Sequence, residues 1–284
     1  SGLSLPTVNT ATLATRSPTM LPNPSLVVLW RVHESCNLAC PFCAYDRRLH
    51  RSRRSAALGD IRAASEALAA WSRDTGREVL ISWLGGEPLL WPTLTKASHY
   101  CASLGLSLSL TTNGTLLSRP GIQALLRELY TEITISVDAP GERHDRLRGW
   151  PGGYASLRRN ISHLAETIRT TRGGPKLRAN AVIMQSTWTE FPKLCLELAS
   201  WGIQEISFNQ LGGNDRPEFY PNQRLSPENA LRFIEMIPSL RTQLAAQGVR
   251  LVGGEEYLQR ILASSRDLRV PITDCAPGQR FLFI

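Results

Sequence analysis

From Leu26 onward, apolar runs typical of strands alternate with segments in which apolar residues recur at spacings of three and four. The apolar runs predict strands at Leu26–His33, Glu78–Leu84, Leu106–Thr111, Glu132–Val137, Leu177–Met184 and Ile203–Asn209. The periodic segments predict helices at Gly59–Thr75, Pro92–Leu104, Pro120–Leu129, Gly153–Thr170 and Thr189–Trp201. Strand followed by helix, repeated in this way, predicts an α/β fold with parallel strands, and the number of units indicates a partial (β/α)6 TIM-like barrel.

The two ends of the chain lack this alternation. Residues 1–25 are rich in Thr, Ser and Pro without a helical or strand period, which predicts a loosely ordered arm. We assign the barrel to residues 26–250 and a short C-terminal extension to residues 251–284. Within that extension, the string Gly253-Gly254-Glu255-Glu256 is typical of a turn from a strand into a helix.

Composition narrows the class of protein. A chain of 284 residues with 42% hydrophobic residues is long enough for one large packed domain with an appendage. No run of about eighteen apolar residues or secretion signal is present, so we expect no membrane span and a cytoplasmic location. The net charge of +8 comes almost wholly from arginine, and no nucleic-acid recognition motif accompanies it, so we expect no nucleic-acid partner.

One basic segment, Arg47–Arg54, is more concentrated than the rest of the charge. Two interpretations remain open for it. It is either an ordinary solvated surface loop, or a site where an acidic electron-donor protein or an anionic substrate first makes contact, because clustered charge raises encounter rates.

The most distinctive stretch is Cys36-Asn37-Leu38-Ala39-Cys40-Pro41-Phe42-Cys43, directly after the first predicted strand. Three thiols on one loop can supply three of the four ligands of a cubane iron–sulfur cluster and leave one iron open for a small molecule. A zinc site is the alternative, but zinc favours two ligand pairs and no second pair is present. A disulfide is also open at this stage.

The pattern Cys36-x-x-x-Cys40-x-Phe42-Cys43 resembles that of the radical S-adenosylmethionine (SAM) enzymes. The resemblance implies an open (β/α)6 barrel with a 4Fe–4S cluster on the three cysteines and SAM bound at the open iron. It implies that Phe42 lies beside the cofactor. A reduced cluster would then split SAM into a 5′-deoxyadenosyl radical that takes a hydrogen atom from the substrate, and an external low-potential donor of the flavodoxin or ferredoxin type would be required.

Further motifs of this resemblance fall at the ends of predicted strands, where the working loops of parallel sheets lie. Gly85-Gly86-Glu87-Pro88 resembles the segment that binds the amino group of SAM, since glycine lets backbone carbonyls approach a ligand. Thr112-Asn113-Gly114 resembles a segment near the adenosine, although Asn-Gly is also an ordinary turn. Ser136-Val137-Asp138 resembles a Ser-x-Asp whose serine reaches the SAM ribose or carboxylate.

The segment from His144 to Gly149 resembles the His-Asp-x-x-Arg-Gly of many relatives. Its Arg148 is a candidate partner for a carboxylate, because a guanidinium matches two oxygens, or it forms a surface ion pair with Asp145. The fifth predicted strand lacks the pattern that packs on the adenine in some relatives. Asn180 and Asn209 are candidate site residues there, or they only satisfy backbone groups at the strand ends.

Cys275-Ala-Pro-Gly278, followed by the strand-like Arg280–Ile284, resembles the start of the auxiliary-cluster extension known as SPASM or twitch. We therefore expect residues 251–284 to begin a truncated extension of this type, with Cys275 as a ligand of an auxiliary iron–sulfur cluster and Arg280–Ile284 as the first hairpin strand.

Taken together, these features indicate a radical SAM enzyme that modifies a peptide or an amino-acid-derived substrate. A small natural-product intermediate is the alternative substrate. A non-catalytic iron–sulfur carrier is the alternative class, under which the glycine motif would have no role.

Overall fold

The computed structural model describes residues 26–268 and 280–284. The predicted N-terminal arm and Cys275 lie outside these residues. Eight strands form one sheet: β1 Leu26–His33, β2 Val79–Gly85, β3 Ser107–Thr112, β4 Glu132–Ser136, β5 Lys176–Ile183, β6 Glu205–Gln210, β7 Arg250–Leu251 and β8 Phe281–Phe283.

Nine helices accompany these strands in the described part of the chain. They are α1 Leu58–Thr75, α2 Leu94–Ser103, α3 Pro120–Leu129, α4 Gly141–Arg148, α5 Gly153–Thr171, α6 Phe191–Ser200, α7 Tyr220–Gln223, α8 Pro227–Ala245 and α9 Glu255–Ser265. The turn expected at Gly253–Glu256 is confirmed, because it joins β7 to α9.

All strand pairs of the sheet are parallel, and the order is β7-β6-β5-β4-β3-β2-β1-β8. Strands that follow one another in the chain are therefore neighbours from β1 to β7. An open parallel sheet wound in one direction with helices between its strands confirms the predicted α/β fold of the partial-barrel type.

Alternate burial along the strands places the core on one face of the sheet. Residues of β5 alternate between half-buried and buried positions, and β1 alternates in the same way over most of its length. Successive side chains of a strand point to opposite faces, so one face packs against apolar residues while the other is more accessible. Trp83 is fully buried in this core, with its ring centroid 5.6 Å from that of Trp30 and 5.7 Å from that of Trp91.

The last strand has a partner that the sequence did not indicate. Arg280–Ile284 was expected to be the first strand of a hairpin, and its residues in β8 pair in parallel with β1, with Val28 opposite Leu282. The backbone bonds that flank this ladder include Val27 N–H to Arg280 O at 2.8 Å, Arg31 N–H to Ile284 O at 2.8 Å, and Ile284 N–H to Leu29 O at 3.0 Å. The strand itself was predicted from the sequence, but its partner was not, because the free edge of β1 offers a row of backbone groups that no local pattern indicates. A hairpin that begins with this strand stays a prediction.

Candidate functional site

The three clustered cysteines lie on the loop that leaves β1, which we call the cysteine loop (residues 34–46). Each sulfur faces an N–H donor. Leu38 N–H donates to Cys36 Sγ at 3.5 Å, and Tyr45 N–H donates to Cys43 Sγ at 3.4 Å. Cys40 Sγ lies 3.9 Å from Nη1 of Arg148. Such donors stabilise thiolate sulfur and tune the potential of a metal bound to it.

The thiols are close enough to influence one another electrostatically. Burial raises the pKa of each of the three cysteines, and that of Cys40 reaches about 12. The charges of the neighbouring thiolates raise the pKa of Cys36 and Cys40 further. Three mutually repelling thiolates, of which Cys40 is buried and the other two are partly buried, need positive charge to be stable, and a metal centre supplies it.

The sulfur arrangement distinguishes the alternatives that the sequence left open. Cys36, Cys40 and Cys43 are free thiols, so the disulfide interpretation is wrong. Among residues 26–268 and 280–284, no three His, Cys, Asp or Glu side chains are grouped closely enough to hold one metal ion. In a cubane cluster each cysteine binds a different iron, so its ligands are spaced more widely than those of a single zinc ion. The three thiols therefore fit a cluster better than zinc.

Gly85 and Gly86 bring the end of β2 against the start of the cysteine loop. A Cβ atom at Gly85 would lie 2.0 Å from His33 O, and one at Gly86 would lie 2.3 Å from Ser35 O. Gly85 also has a φ of +145°, which L residues rarely adopt. Gly86 N–H donates to His33 O at 2.6 Å, and Glu87 N–H donates to Ser35 O at 2.9 Å. The glycines thus have a structural role beside the predicted contact with SAM.

The carboxylate of Glu87 is fully buried and joins two of the motifs found in the sequence. Its Oε1 accepts hydrogen bonds from Leu89 N–H at 3.0 Å and Thr112 Oγ1–H at 2.7 Å. Its Oε2 accepts one from Asn113 N–H at 2.7 Å. Burial raises the pKa of Glu87 to about 6, although these donors oppose the shift. Glu87 and Pro88, which begins a short 3₁₀ turn at Pro88–Leu90, therefore fix the ends of β2 and β3 relative to each other.

Asn113 carries this connection on to the first cysteine. Its Nδ2 lies 3.6 Å from Cys36 Sγ and donates to Asn37 Oδ1 at 2.9 Å. Its Oδ1 accepts from Thr115 N–H at 3.0 Å. A continuous set of contacts thus runs from Glu87 through Asn113 to Cys36.

Arg148 approaches the second cysteine from α4. Its Nε donates to Asp138 Oδ2 at 2.6 Å, and its guanidinium carbon lies 5.4 Å from the centroid of the Phe42 ring. Asp138 Oδ1 in turn accepts from Val182 N–H at 3.0 Å. Both Asp138 and Arg148 are buried, so this is an internal ion pair next to Cys40.

The surface pair of Arg148 with Asp145 is therefore a wrong prediction. Asp145 instead caps α5: its carboxylate accepts from Gly152 N–H and Tyr154 N–H, each at 2.7 Å. A carboxylate that accepts backbone N–H groups at a helix start is common, and it leaves Arg148 to Asp138.

The remaining candidates lie on the same edge of the sheet. Ser136 ends β4 half-buried and opposite Asn180 of β5. Asn180 Oδ1 accepts from Ser207 Oγ–H at 3.0 Å and from Asn209 Nδ2–H at 3.2 Å. These bonds use one polar atom of each asparagine and involve no backbone group, so the site roles of Asn180 and Asn209 and the contacts of Ser136 with SAM stay predictions.

Sequence reasoning missed a second clamp on the cysteine loop. Asp46 is buried, and its carboxylate binds Arg48 at 2.6 Å and Arg216 at 3.0 Å. These arginines, with the hydrogen bonds from Arg48 as the largest cause, hold the pKa of Asp46 well below its usual range. Phe219 lies 6.1 Å from Phe42 between ring centroids. The loop after β6 thus packs against the cysteine loop through Arg216 and Phe219, which no local motif indicates.

Comparison with known proteins agrees with this geometry. The family model described as the Radical SAM superfamily matches residues 30–175, which is half of the chain. The AdoMet-dependent heme synthase of Oleidesulfovibrio alaskensis is 29% identical over 183 residues, or 62% of this chain and 44% of that protein. The PqqA peptide cyclase of Methylocella silvestris is 29% identical over 173 residues, or 59% of this chain and 42% of that protein. The chain thus spans less than half the length of these two relatives.

Solved structures show the same fold at low identity. Streptococcus suis SuiB bound to the precursor peptide SuiA has a TM-score of 0.66 and 16% identity, covering 92% of this chain and 58% of that one. The anSMEcpe structure with bound AdoMet, another name for SAM, has a TM-score of 0.59 and 18% identity, covering 80% of this chain and 64% of that one. At these identities the likeness concerns the fold.

Proposed function

The chain belongs to the radical SAM superfamily, and from this premise we propose that it splits SAM reductively and modifies a peptide or an amino-acid-derived substrate. Members of this superfamily are enzymes that use a 4Fe–4S cluster and SAM. We propose Cys36, Cys40 and Cys43 as the three cluster ligands. When bound, the cluster and SAM supply low-potential electron transfer and a 5′-deoxyadenosyl radical that takes a hydrogen atom from the substrate.

The residues around the three sulfurs support this proposal through what they hold in place. Gly85, Gly86 and Glu87 fix the backbone on which Cys36 lies. Arg148 presents positive charge to Cys40 at 3.9 Å and is itself oriented by Asp138. Neutralising charge and N–H donors near the sulfurs favour the thiolate form that ligation requires. The observation that carries the proposal is that each of the three cysteine sulfurs lies next to an N–H donor, from Leu38, Tyr45 or Arg148.

Names of the relatives support the choice of substrate class. One relative is a peptide cyclase, and a structural neighbour is bound to a precursor peptide. The heme synthases among the relatives favour the alternative, a small natural-product intermediate.

We further propose a flavodoxin- or ferredoxin-type electron donor and a cytoplasmic location, where thiols stay reduced. A SPASM-type auxiliary cluster that uses Cys275 also stays a proposal.

Anaerobic reconstitution tests the reaction. The reduced protein is incubated with SAM, and 5′-deoxyadenosine is measured by mass spectrometry. Cys40→Ala should abolish both the brown absorbance and the cleavage. Cys195→Ala is the matched control, because Cys195 is a buried free cysteine of α6 outside the cysteine loop, and this variant should keep both. An intact cluster without cleavage would instead favour the iron–sulfur carrier.

A further inference from the structure

The basic segment Arg47–Arg54 divides into two groups in the structure. Arg48 and Arg53 are used internally. Arg48 binds the Asp46 carboxylate and donates to Ala39 O at 3.0 Å, and Arg53 donates to Asp46 O at 2.7 Å and Glu34 O at 3.1 Å. These two arginines hold the cysteine loop in shape, so they are not available to a ligand.

Arg51 belongs to the other group, and Arg31 of β1 joins it. The guanidinium carbon of Arg51 lies 5.1 Å from the centroid of the Tyr45 ring, and that of Arg31 lies 5.7 Å from it. Within residues 26–268 and 280–284, neither guanidinium has a hydrogen bond or an ion pair. The ring of Tyr45 therefore holds two exposed cations that form no ion pair in the described part of the chain, and both remain available to an anion.

These two arginines line a cavity of about 290 Å³ beside the cysteine loop. Ala44, which directly follows Cys43, lines this cavity, and so does Asp215 of the loop after β6. The other charged or aromatic lining residues are Arg31, Glu34, Tyr45, Arg51 and Arg54. The carboxylate of Glu34 is engaged by Arg54 N–H at 3.0 Å. The three guanidinium groups exceed the two carboxylates of Glu34 and Asp215, so the lining carries a net positive charge.

A larger cavity of about 680 Å³ lies elsewhere, between Arg224, Ser226 and Asp267. Its Arg224 is already paired with Asp267 at 2.8 Å and donates to Ser265 O at 2.8 Å. It gives no basis for a ligand.

We propose that the cavity at Arg31 and Arg51 binds an oxyanion group of the substrate, a carboxylate or a phosphate. A guanidinium donates to two oxygens of such a group at once, and two of them fixed over one ring are already oriented for it. The inference rests on the proposed function, in which the carboxylate of SAM is taken by the open iron and the second anion must come from the substrate. The concave shape favours a small group over the broad surface of an acidic electron-donor protein.

Chemical protection tests this site without any need for turnover. The reconstituted chain is treated with phenylglyoxal, which modifies arginine, and modification of Arg31 and Arg51 is followed by mass spectrometry. Succinate, inorganic phosphate and neutral succinamide are added in separate arms at constant ionic strength. Arg62 is the matched control, because it is exposed, its guanidinium carbon lies 5.2 Å from the ring centroid of Tyr100, and it does not line the cavity.

An oxyanion at about twice its dissociation constant should slow modification of Arg31 and Arg51 about threefold, and leave Arg62 unchanged. Protection by succinate identifies a carboxylate site, and protection by phosphate alone identifies a phosphate site. Equal protection by succinamide, equal protection of Arg62, or no protection overturns the proposal. A further arm contains a flavodoxin-type protein, and protection in that arm alone overturns the proposal in favour of donor docking.

Two exposed substitutions provide a second measurement. Arg31→Gln and Arg51→Gln should each weaken binding of the protecting anion about tenfold by calorimetry, while Arg62→Gln should not change it. Unchanged affinity in both cavity variants contradicts the site. If SAM is not cleaved but an oxyanion still protects Arg31 and Arg51, only the proposed function is rejected. If SAM is cleaved but no oxyanion protects these arginines, only the oxyanion site is rejected.

Discussion

Nε of Arg148 lies 2.6 Å from Oδ2 of Asp138, and the same guanidinium reaches to 3.9 Å from Cys40 Sγ. The buried ion pair of Asp138 and Arg148 thus lies next to Cys40, a proposed cluster ligand. The free energy of the pair is a small difference between attraction and desolvation, whereas removing one partner leaves the other charge buried alone.

This relationship predicts the effect of removing the cation. Arg148→Met should destabilise the chain by about 3 to 5 kcal/mol, because Asp138 then stays buried without its partner. The double variant Asp138→Asn with Arg148→Met should recover most of that loss, since asparagine keeps an oxygen for Val182 N–H. Urea unfolding of both variants measures this, and equal loss in the two would contradict it.

The glycine motif predicts a steric effect. Gly86→Ala places a Cβ 2.3 Å from Ser35 O, so the cysteine loop must move. We expect less iron bound per chain after reconstitution and a lower urea midpoint. Gly59→Ala is the control, since a Cβ there meets nothing within 4 Å, and within α1 it should stabilise by up to about 1 kcal/mol. Normal iron content in Gly86→Ala would argue against the close packing described here.

The hydrogen bonds of Glu87 predict that its amide analogue destabilises the fold. Both of its oxygens accept from N–H or O–H donors, so Glu87→Gln must point an amide NH₂ at a donor in either orientation. The free energy of unfolding should fall by about 1 to 3 kcal/mol. Glu66→Gln is the surface control, because Glu66 is exposed and still offers an oxygen to Tyr100, and its change should stay within about 0.5 kcal/mol. Equal changes in the free energy of unfolding of the two variants would rule out that Glu87 fixes the ends of β2 and β3 relative to each other.

His144 predicts a pH dependence of stability. Burial, aided by Arg148, lowers its pKa from 6.5 to about 4 in the folded chain. The unfolded chain therefore binds more protons between these values, and stability is lost as the pH falls through that window. At pH 5.5 this loss should be about 1 kcal/mol relative to pH 7.5.

His144→Asn, which keeps an acceptor for Asp138 N–H, should remove that part of the pH dependence. The raised pKa of Glu87 acts in the opposite direction between 4.5 and about 6, and comparison of variant with parent cancels it. Urea unfolding of the cluster-free chains at both pH values measures the difference. An identical pH dependence of variant and parent would mean that His144 is not buried in its neutral form.

Local pattern was sufficient for most of the fold. The bounds of β1 and α3 agree with the prediction, and the other predicted elements agree within two residues. α4 was not predicted because its sequence, Gly141–Arg148, is almost wholly polar and has no apolar period. α8 does carry that period at Ala230, Phe233, Ile237, Leu240 and Leu244, but Pro238 interrupts its helical signal.

The candidate site was predictable only where its residues are neighbours in the chain. The cysteine spacing and the glycine motif are local, so the sequence displays them. The pairing of Asp138 with Arg148 depends on where α4 packs, and that of Asp46 with Arg216 joins positions 170 residues apart. Contacts of this kind are set by tertiary packing, which a single sequence does not encode as a pattern.

Because β8 pairs in parallel with β1, residues 281–283 cover the outer edge of the strand that leads into the cysteine loop. A version of the protein trimmed before Arg280 would turn β1 into the border of the sheet and expose its amide and carbonyl row to other chains. Bare borders of this kind promote self-association. Proteolytic removal of the residues from Arg280 onward should therefore be detected first as turbidity of the sample, before any loss of iron.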